Sequence, residues 1–144
     1  MKDKEILGDN SSYLISAIKK VEATKQLDIY LEMKADRIEC AGCNKEVKYV
    51  REKYERTVRD LPIGEYITVK LHYPVKIFEC SNCKKRRTEK LSLVENGQFA
   101  TDRFKLYIGK LATMIAPSQV AEEFSLDDNT VYRYEDYFLK KNSH

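Results

Sequence analysis

The chain has 144 residues, of which 42% are hydrophobic and 34% charged, with a formal net charge of +3. This length fits one domain or two small modules, and no apolar run is long enough to cross a bilayer, which excludes a membrane-spanning protein. The positive charge is concentrated: residues 40–90 hold 13 of the 26 Lys and Arg but only 7 of the 23 Asp and Glu. A basic central segment is what a phosphate-binding surface needs.

The N-terminal part divides into a polar segment, residues 1–18, and a predicted β-hairpin at residues 19–34. The first residues are charged and lack the apolar stretch of a signal peptide. Apolar and polar residues alternate between Val21 and Met33, which is the period of a strand. Two alternatives are left for this hairpin: it packs on the segment that follows, or it pairs with a second copy of the chain. Without a leader sequence, the expected location is the cytoplasm.

All four cysteines lie in two Cys-x-x-Cys pairs, Cys40 with Cys43 and Cys80 with Cys83. Each pair places two thiolates on one tight turn, and together they supply the four soft ligands of a tetrahedral Zn²⁺ site. Two disulfides would need an oxidising compartment, and a redox Cys-x-x-Cys usually occurs once, near a βαβ pattern. The spacing therefore predicts a closed, structural zinc site on which folding of this region depends.

The segment between and after the cysteine pairs is predicted to be β-rich and basic. A turn at Leu61–Gly64 precedes an alternating strand at Tyr66–Phe78. Directly after the second pair come four consecutive cations, and others recur in the predicted loop between the pairs. On its own such a run is more often a solvated turn than a binding site, but beside a zinc site it is a candidate phosphate clamp. The cations are Lys84, Lys85, Arg86 and Arg87, with Lys48, Arg51, Lys53, Arg56 and Arg59 between the pairs.

After Lys90 the apolar period becomes helical. Thr101 is a suitable N-cap for a helix whose apolar stripe includes Phe104 and Ile108. Two shorter helical segments follow, Ser118–Phe124 and Asp128–Leu139. The predicted fold is therefore α+β, a β-rich four-cysteine zinc ribbon (residues 19–90) followed by a three-helix helix-turn-helix unit (residues 91–144).

Residues 117–136 fit the helix-turn-helix pattern position by position. Ala121 is small where the two helices cross, and Asp127 is placed to cap the second helix near Thr130. Ser125 stands where Gly is usual. A helix cluster used only for packing or dimerisation is the alternative. The five positions expected to face inward are Val120, Phe124, Leu126, Val131 and Tyr134.

The start of the second helix carries the candidate DNA-reading residues. Asn129 is suited to adenine, and Arg133 to guanine or to a phosphate. Thr130 and Tyr132 complete the candidate set. These four side chains predict contacts with double-stranded DNA.

The order of these parts resembles the N-terminal region of bacterial insertion-sequence transposases of the ISL-three type, over roughly residues 20–139. The resemblance is carried by the string Arg56–Gly64 (RTVRDLPIG), the alternating strand, Phe78-Glu79-Cys80, the basic stretch with Thr88-Glu89 and the helix-turn-helix. It implies that Cys40, Cys43, Cys80 and Cys83 are the zinc ligands and that Asn129–Arg133 belong to the DNA-reading helix. It also implies a module that grips the terminal inverted repeats of a transposon.

The family continues into a nuclease domain whose three acidic residues hold two metal ions, whereas this sequence stops at His144. We therefore expect no catalysis from these residues. The expected function is sequence-specific recognition of transposon ends or a related duplex site. A homodimer and a longer chain carrying the nuclease domain are both open as partner arrangements. The alternative functions are a zinc-ribbon adaptor for protein partners and a stand-alone transcriptional regulator.

Overall fold

The structure is a computed structural model that describes residues 3–8, 11–34, 37–94 and 99–142. Its helices are α1 (Asp3–Leu7), α2 (Asp102–Ala112), α3 (Pro117–Phe124) and α4 (Asp128–Asn142). Its strands are β1 (Tyr13–Val21), β2 (Gln26–Met33), β3 (Ile38–Glu39), β4 (Glu46–Val47), β5 (Val50–Asp60), β6 (Thr68–Glu79) and β7 (Arg86–Glu89). In the described part of the chain, no helix is both long and apolar enough to cross a membrane.

The strands form one large sheet and one small hairpin. The large sheet has the order β1-β2-β6-β5, with β7 also paired to β6, and β3 pairs with β4 by itself. Buried residues alternate along β6, where Val69, Leu71, Tyr73 and Val75 face the interior. The β-rich part precedes the three longer helices, so the predicted α+β class is confirmed.

Two strands differ from the expected elements. β1 begins at Tyr13, six residues before the predicted start of the hairpin, because Tyr13 is a buried core residue within a stretch that reads as polar. β5 is a regular strand of 11 residues, where a loop was expected between the cysteine pairs. Its side chains from Arg51 to Glu55 are exposed on both faces, so the sequence there lacks the alternation that marks a strand.

The chain folds into two compact units, neither of which is continuous in sequence. The ribbon unit comprises Met1–Lys19, Asp28–Thr57 and Leu71–Ser92. The helical unit comprises Lys20–Leu27, Val58–Lys70 and Leu93–His144. The long strands contribute residues to both.

The ribbon unit has a mainly apolar core with tyrosines at its centre. Tyr13 is buried, its ring meets that of Tyr73 edge to face at 5.7 Å, and its hydroxyl donates to the Pro74 carbonyl at 2.6 Å. Burial raises the pKa of Tyr13 well above its usual value. The hydroxyl therefore stays protonated and works as a buried donor.

The helical unit is built on α2, α3 and α4 around one apolar cluster. Phe104 and Ile108 of α2 are buried with Val120 of α3 and Val131 of α4. α2 begins as predicted at Thr101, whose side chain accepts from the Phe104 amide. Gly109 lies where α2 packs against α4: a Cβ built there would clash with the Tyr134 carbonyl oxygen. Glycine is what allows the two helices to touch.

A buried carboxylate fixes the start of α2 to the end of β5. Asp60 accepts from the Thr101 hydroxyl at 2.7 Å, from Arg103 Nε at 2.8 Å and from the Leu61 amide at 2.8 Å. The Thr101 hydroxyl donates to Asp60 and so presents a lone pair to the Phe104 amide. The same carboxylate therefore neutralises Arg103 and orients the helix cap.

Asp60→Asn is expected to destabilise the helical unit by about 2 kcal/mol, because an amide replaces the charged acceptor of a bidentate Arg103 pair. The measurement is urea unfolding followed by the helical circular dichroism signal in zinc-containing buffer. Glu55→Gln, an exposed carboxylate on the same strand, is the control and is expected to change stability by less than about 0.5 kcal/mol. Equal stability of the two variants would contradict this role of Asp60.

Candidate functional site

The four cysteine sulfurs meet at one point of the ribbon unit. All four Sγ atoms lie within 4.8 Å of one another, with Cys40 to Cys83 at 3.3 Å and Cys43 to Cys80 at 3.6 Å. A tetrahedral zinc with Zn–S bonds of about 2.3 Å separates its sulfurs by about 3.8 Å. The donor set and its spacing therefore fit Zn²⁺, which ties two hairpins together when it is bound. Zn²⁺ is the cofactor that the spacing of the cysteines predicts.

The two cysteine turns have the same local structure. In the first, the Cys40 amide donates to the Lys45 carbonyl at 2.8 Å and the Asn44 amide to the Cys40 carbonyl at 2.8 Å. In the second, Cys80 pairs with Lys85 at 2.9 Å and Lys84 with Cys80 at 2.8 Å. Asn44 and Lys84 both adopt the left-handed backbone conformation, with φ of 60° and 62°. This repeat brings two thiols to the tip of each hairpin.

Each turn lies at the end of a short strand pair with apolar side chains around the sulfurs. The first hairpin pairs Ile38 with Val47, and the second pairs Phe78 with Arg87. Ile38, Val47 and Phe78 pack against the cysteines, of which Cys40 and Cys80 are buried. An apolar surround of this kind limits solvent access and strengthens the electrostatic interactions of a bound metal.

The cysteine pKa values show why a cation suits this cluster. The pKa of Cys40 is lowered to about 6, first by backbone hydrogen bonding from Cys43 and then from Gly42. The largest single effect on the pKa of Cys83 is a backbone hydrogen bond from Lys85, which lowers it. The neighbouring thiols and burial together outweigh this effect and raise the pKa of Cys83 to about 11. Four adjacent sulfurs cannot all ionise without a compensating charge, and a bound divalent ion supplies it.

The basic stretch Lys84–Arg87 follows the second turn and is exposed. The Lys85 side chain lies over Gly42, at 2.7 Å from where a Cβ would stand, so Gly42 leaves room for it. Arg87 Nε pairs with Glu89 at 2.9 Å. Lys84 and Lys85 have no carboxylate partner among the described residues. Both ammonium groups are therefore available to an anion outside the protein.

Two of the other basic residues between the cysteine pairs, Arg51 and Arg59, have partners within the protein. Arg51 pairs with Glu79 at 3.1 Å, and Arg59 is half-buried. The Arg59 guanidinium lies 5.2 Å from the Phe104 ring and donates to the Thr68 hydroxyl at 3.3 Å. Burial lowers its pKa. Arg59 is therefore a partly covered member of the basic set, which a count of charges along the sequence does not show.

The candidate DNA-reading residues share an exposed surface at the start of α4. Asn129, Tyr132 and Arg133 are exposed and Thr130 is half-buried. Arg133 Nη2 donates to the Thr130 hydroxyl at 3.0 Å. The Thr130 amide donates to Asp127 Oδ1 at 2.8 Å, and this backbone hydrogen bond is the first cause of the lowered pKa of Asp127. The predicted cap at Asp127 is confirmed.

The turn before α4 contains a left-handed residue, and the five positions predicted to face inward are buried or partly buried. Ser125 adopts φ 54°, the left-handed conformation for which Gly is usual at this position. Ala121 is buried. Val120, Phe124 and Val131 are buried in the helical cluster, and Leu126 and Tyr134 pack against it.

Sequence reasoning missed three structural features. Gly109 carried no signal beyond its type, and Asp60 was noted only as part of the RTVRDLPIG string. The third is His72. Its Nδ1 forms a hydrogen bond with the Thr57 hydroxyl at 2.8 Å, and its Nε2 forms one with Asp28 Oδ1 at 2.7 Å. The His72 ring also stacks on that of Tyr30. The Thr57 and Asp28 partners lie 15 and 44 residues away, so no local pattern could have indicated them.

Four thiols on two matched β-turns define a zinc-ribbon protein. Residues 36–83 match the family described as the zinc-finger of transposase IS204/IS1001/IS1096/IS1165, so the chain contains a zinc ribbon of the ISL3 transposase type. The resemblance noted from the sequence is confirmed for this region. The chain is a zinc-binding, transposase-like module.

The chain is similar to the transposase for insertion sequence element IS1001 of Bordetella parapertussis. The two are 34% identical over 128 residues, which cover 88% of this chain and 31% of the relative. The chain thus spans about a third of the length of that relative. No solved structure matches the chain.

Proposed function

We propose that this protein is a sequence-specific duplex-DNA-binding module that recognises transposon ends or a related site. The observation that carries the proposal is the four-cysteine cluster within a region that matches a transposase zinc finger. We assign Cys40, Cys43, Cys80 and Cys83 as the four zinc ligands. Four protein ligands leave no open coordination position, so the zinc is structural and takes no part in catalysis.

The proposed reading element is a helix-turn-helix formed by α3 and α4 within residues 91–144. It is supported by the Asp127 cap, the left-handed Ser125 and the buried Ala121. In this proposal the start of α4 enters the major groove, where Asn129 and Arg133 contact base edges. Thr130 and Tyr132 complete the contact set, and Thr130 also holds the Arg133 guanidinium in place.

The proposed backbone-binding element is the stretch Lys84–Arg87 on the ribbon, in residues 19–90. Support comes from its exposure and from the ammonium groups of Lys84 and Lys85, which no described carboxylate neutralises. Contacts of this kind are made with phosphates and are independent of sequence. Since the two elements belong to one chain, the second contact forms at a high effective concentration.

A selection experiment tests the reading element. Duplexes selected from a random pool by the wild-type chain should be bound more tightly than random duplex. Arg133→Ala should cost about 1–3 kcal/mol of binding free energy on the selected site and relax specificity at one position. It should weaken binding to random duplex by much less.

Lys110→Ala is the control, because Lys110 is exposed on α2 and has no proposed DNA contact. It should leave the selected-site preference unchanged. If Arg133→Ala weakened selected and random duplexes equally, Arg133 would be a phosphate contact and the base-reading role would be wrong. If selection enriched no sequence, sequence specificity itself would be refuted.

A further inference from the structure

Towards its end, α4 carries a second charged feature, which shares only Arg133 with the candidate DNA-reading residues. An open cleft of about 500 Å³ is lined by Arg133, Asp136, Tyr137, Lys140 and Lys141. Three cations and one carboxylate give it a net positive charge. This composition suits an anion better than a base edge.

Two lysine ammonium groups lie over the Tyr137 ring of this cleft. Lys141 Nζ lies 5.6 Å from the ring centroid, and Lys105 Nζ of α2 lies 4.7 Å from it. Lys105 is buried and pairs with Asp102 at 3.3 Å. Asp102 compensates the charge of Lys105, so the positive charge of the cleft comes from its exposed cations.

The length of α4 places Lys140 and Lys141 away from Asn129, and Arg133 lies between them on the helix. Eleven residues separate Asn129 from Lys140, which corresponds to about 16 Å along a helix. The major groove is only about 12 Å wide. A helix that reads bases with its first turn and crosses the groove therefore has its last turn over the phosphate backbone.

We propose that the α4 cleft binds backbone phosphates of duplex DNA, with Lys140 and Lys141 each contacting one phosphate beside Arg133. The proposal rests on the DNA-binding function above and extends it to the far end of the helix. Asp136 pairs with Lys140 at 3.0 Å, and both side chains are exposed. Water screens such a pair strongly, so a phosphate can displace Asp136, although the carboxylate competes with it.

The test is a salt titration of binding to random duplex DNA, monitored by fluorescence anisotropy with the full chain. The double variant Lys140→Gln/Lys141→Gln should lower the slope of log affinity against log salt by nearly 2 units, since each lost phosphate contact removes about 0.9. Affinity at about 0.1 M salt should fall on the order of tenfold for each contact. Asp136→Asn should instead increase affinity, a change that a folding defect could not imitate.

Lys110→Gln is the matched control, because it removes one exposed lysine charge from the same unit. If the double variant changed slope and affinity by no more than twice the change seen in Lys110→Gln, and Asp136→Asn had no effect, the phosphate site would be refuted while DNA binding by the wild type stood. If the wild type showed no salt-dependent binding, the proposed function would fail, and this site with it.

Discussion

Cys80→Ser is expected to abolish stoichiometric zinc binding and to unfold the ribbon, while much of the helical signal remains. Cys80 is buried, its Sγ lies 3.6 Å from that of Cys43, and its turn carries Cys83 as well. A serine hydroxyl is a poor zinc ligand, so the tetrahedral shell loses one of its four thiolates. In small metal sites the binding free energy is also folding free energy, and the hairpins lose what joins them.

Zinc content by elemental analysis and the dispersion of ribbon amide signals by NMR are the measurements. Ser81→Ala, an exposed position in the same turn, should keep one zinc per chain and the native spectrum. The circular dichroism of α2, α3 and α4 should persist in Cys80→Ser. Full stoichiometric zinc in that variant would contradict the four-cysteine site.

Gly109→Ala is expected to destabilise the helical unit by about 3 kcal/mol. The new Cβ would clash with the Tyr134 carbonyl oxygen and would lie 2.7 Å from the Phe138 Cβ. The closest contact is with backbone, which cannot rotate away as a side chain would. α2 and α4 must therefore separate, which opens the packing of Phe104 and Ile108.

The sign of this change makes it diagnostic, because Gly→Ala within a helix normally stabilises by about 1 kcal/mol. Urea unfolding of Gly109→Ala and of Lys110→Ala, an exposed neighbour, separates packing from helix propensity. The Lys110 variant should change stability by less than about 0.5 kcal/mol. A Gly109→Ala protein as stable as the wild type would show that α2 and α4 do not pack as closely as described.

The metal centre was predictable from the sequence because its information is local. Two residues separate the cysteines of each pair, and that spacing determines a turn with both thiols at its tip. The Thr101 and Asp127 caps were predictable for the same reason: each accepts from an amide three residues ahead. The α+β class followed from the change of apolar period after Lys90.

Contacts between residues that lie far apart in the sequence could not be predicted from local patterns. Asp60 meets Thr101 and Arg103, which lie 41 and 43 residues later. Gly109 is adjacent to Tyr134 only because α4 returns along α2. The sequence shows that Arg59 is a cation, but it does not show that the Phe104 ring covers its guanidinium.

The RTVRDLPIG string gains a structural explanation in the helical unit. Its Arg59 packs on Phe104, its Asp60 holds Thr101 and Arg103, and its Val58 is buried. In the sequence alone, this string indicates a family resemblance and contributes positive charge. Its described contacts instead attach the first long helix to the end of a strand.

The most direct test of the central proposal joins zinc analysis to a salt titration with random duplex DNA. The account predicts one zinc per chain and a negative slope of several units of log affinity against log salt. Removal of zinc by a chelator should abolish the part of that slope contributed by the ribbon. One zinc per chain with no DNA binding at low salt would contradict a DNA-binding module and favour a zinc-ribbon adaptor for protein partners.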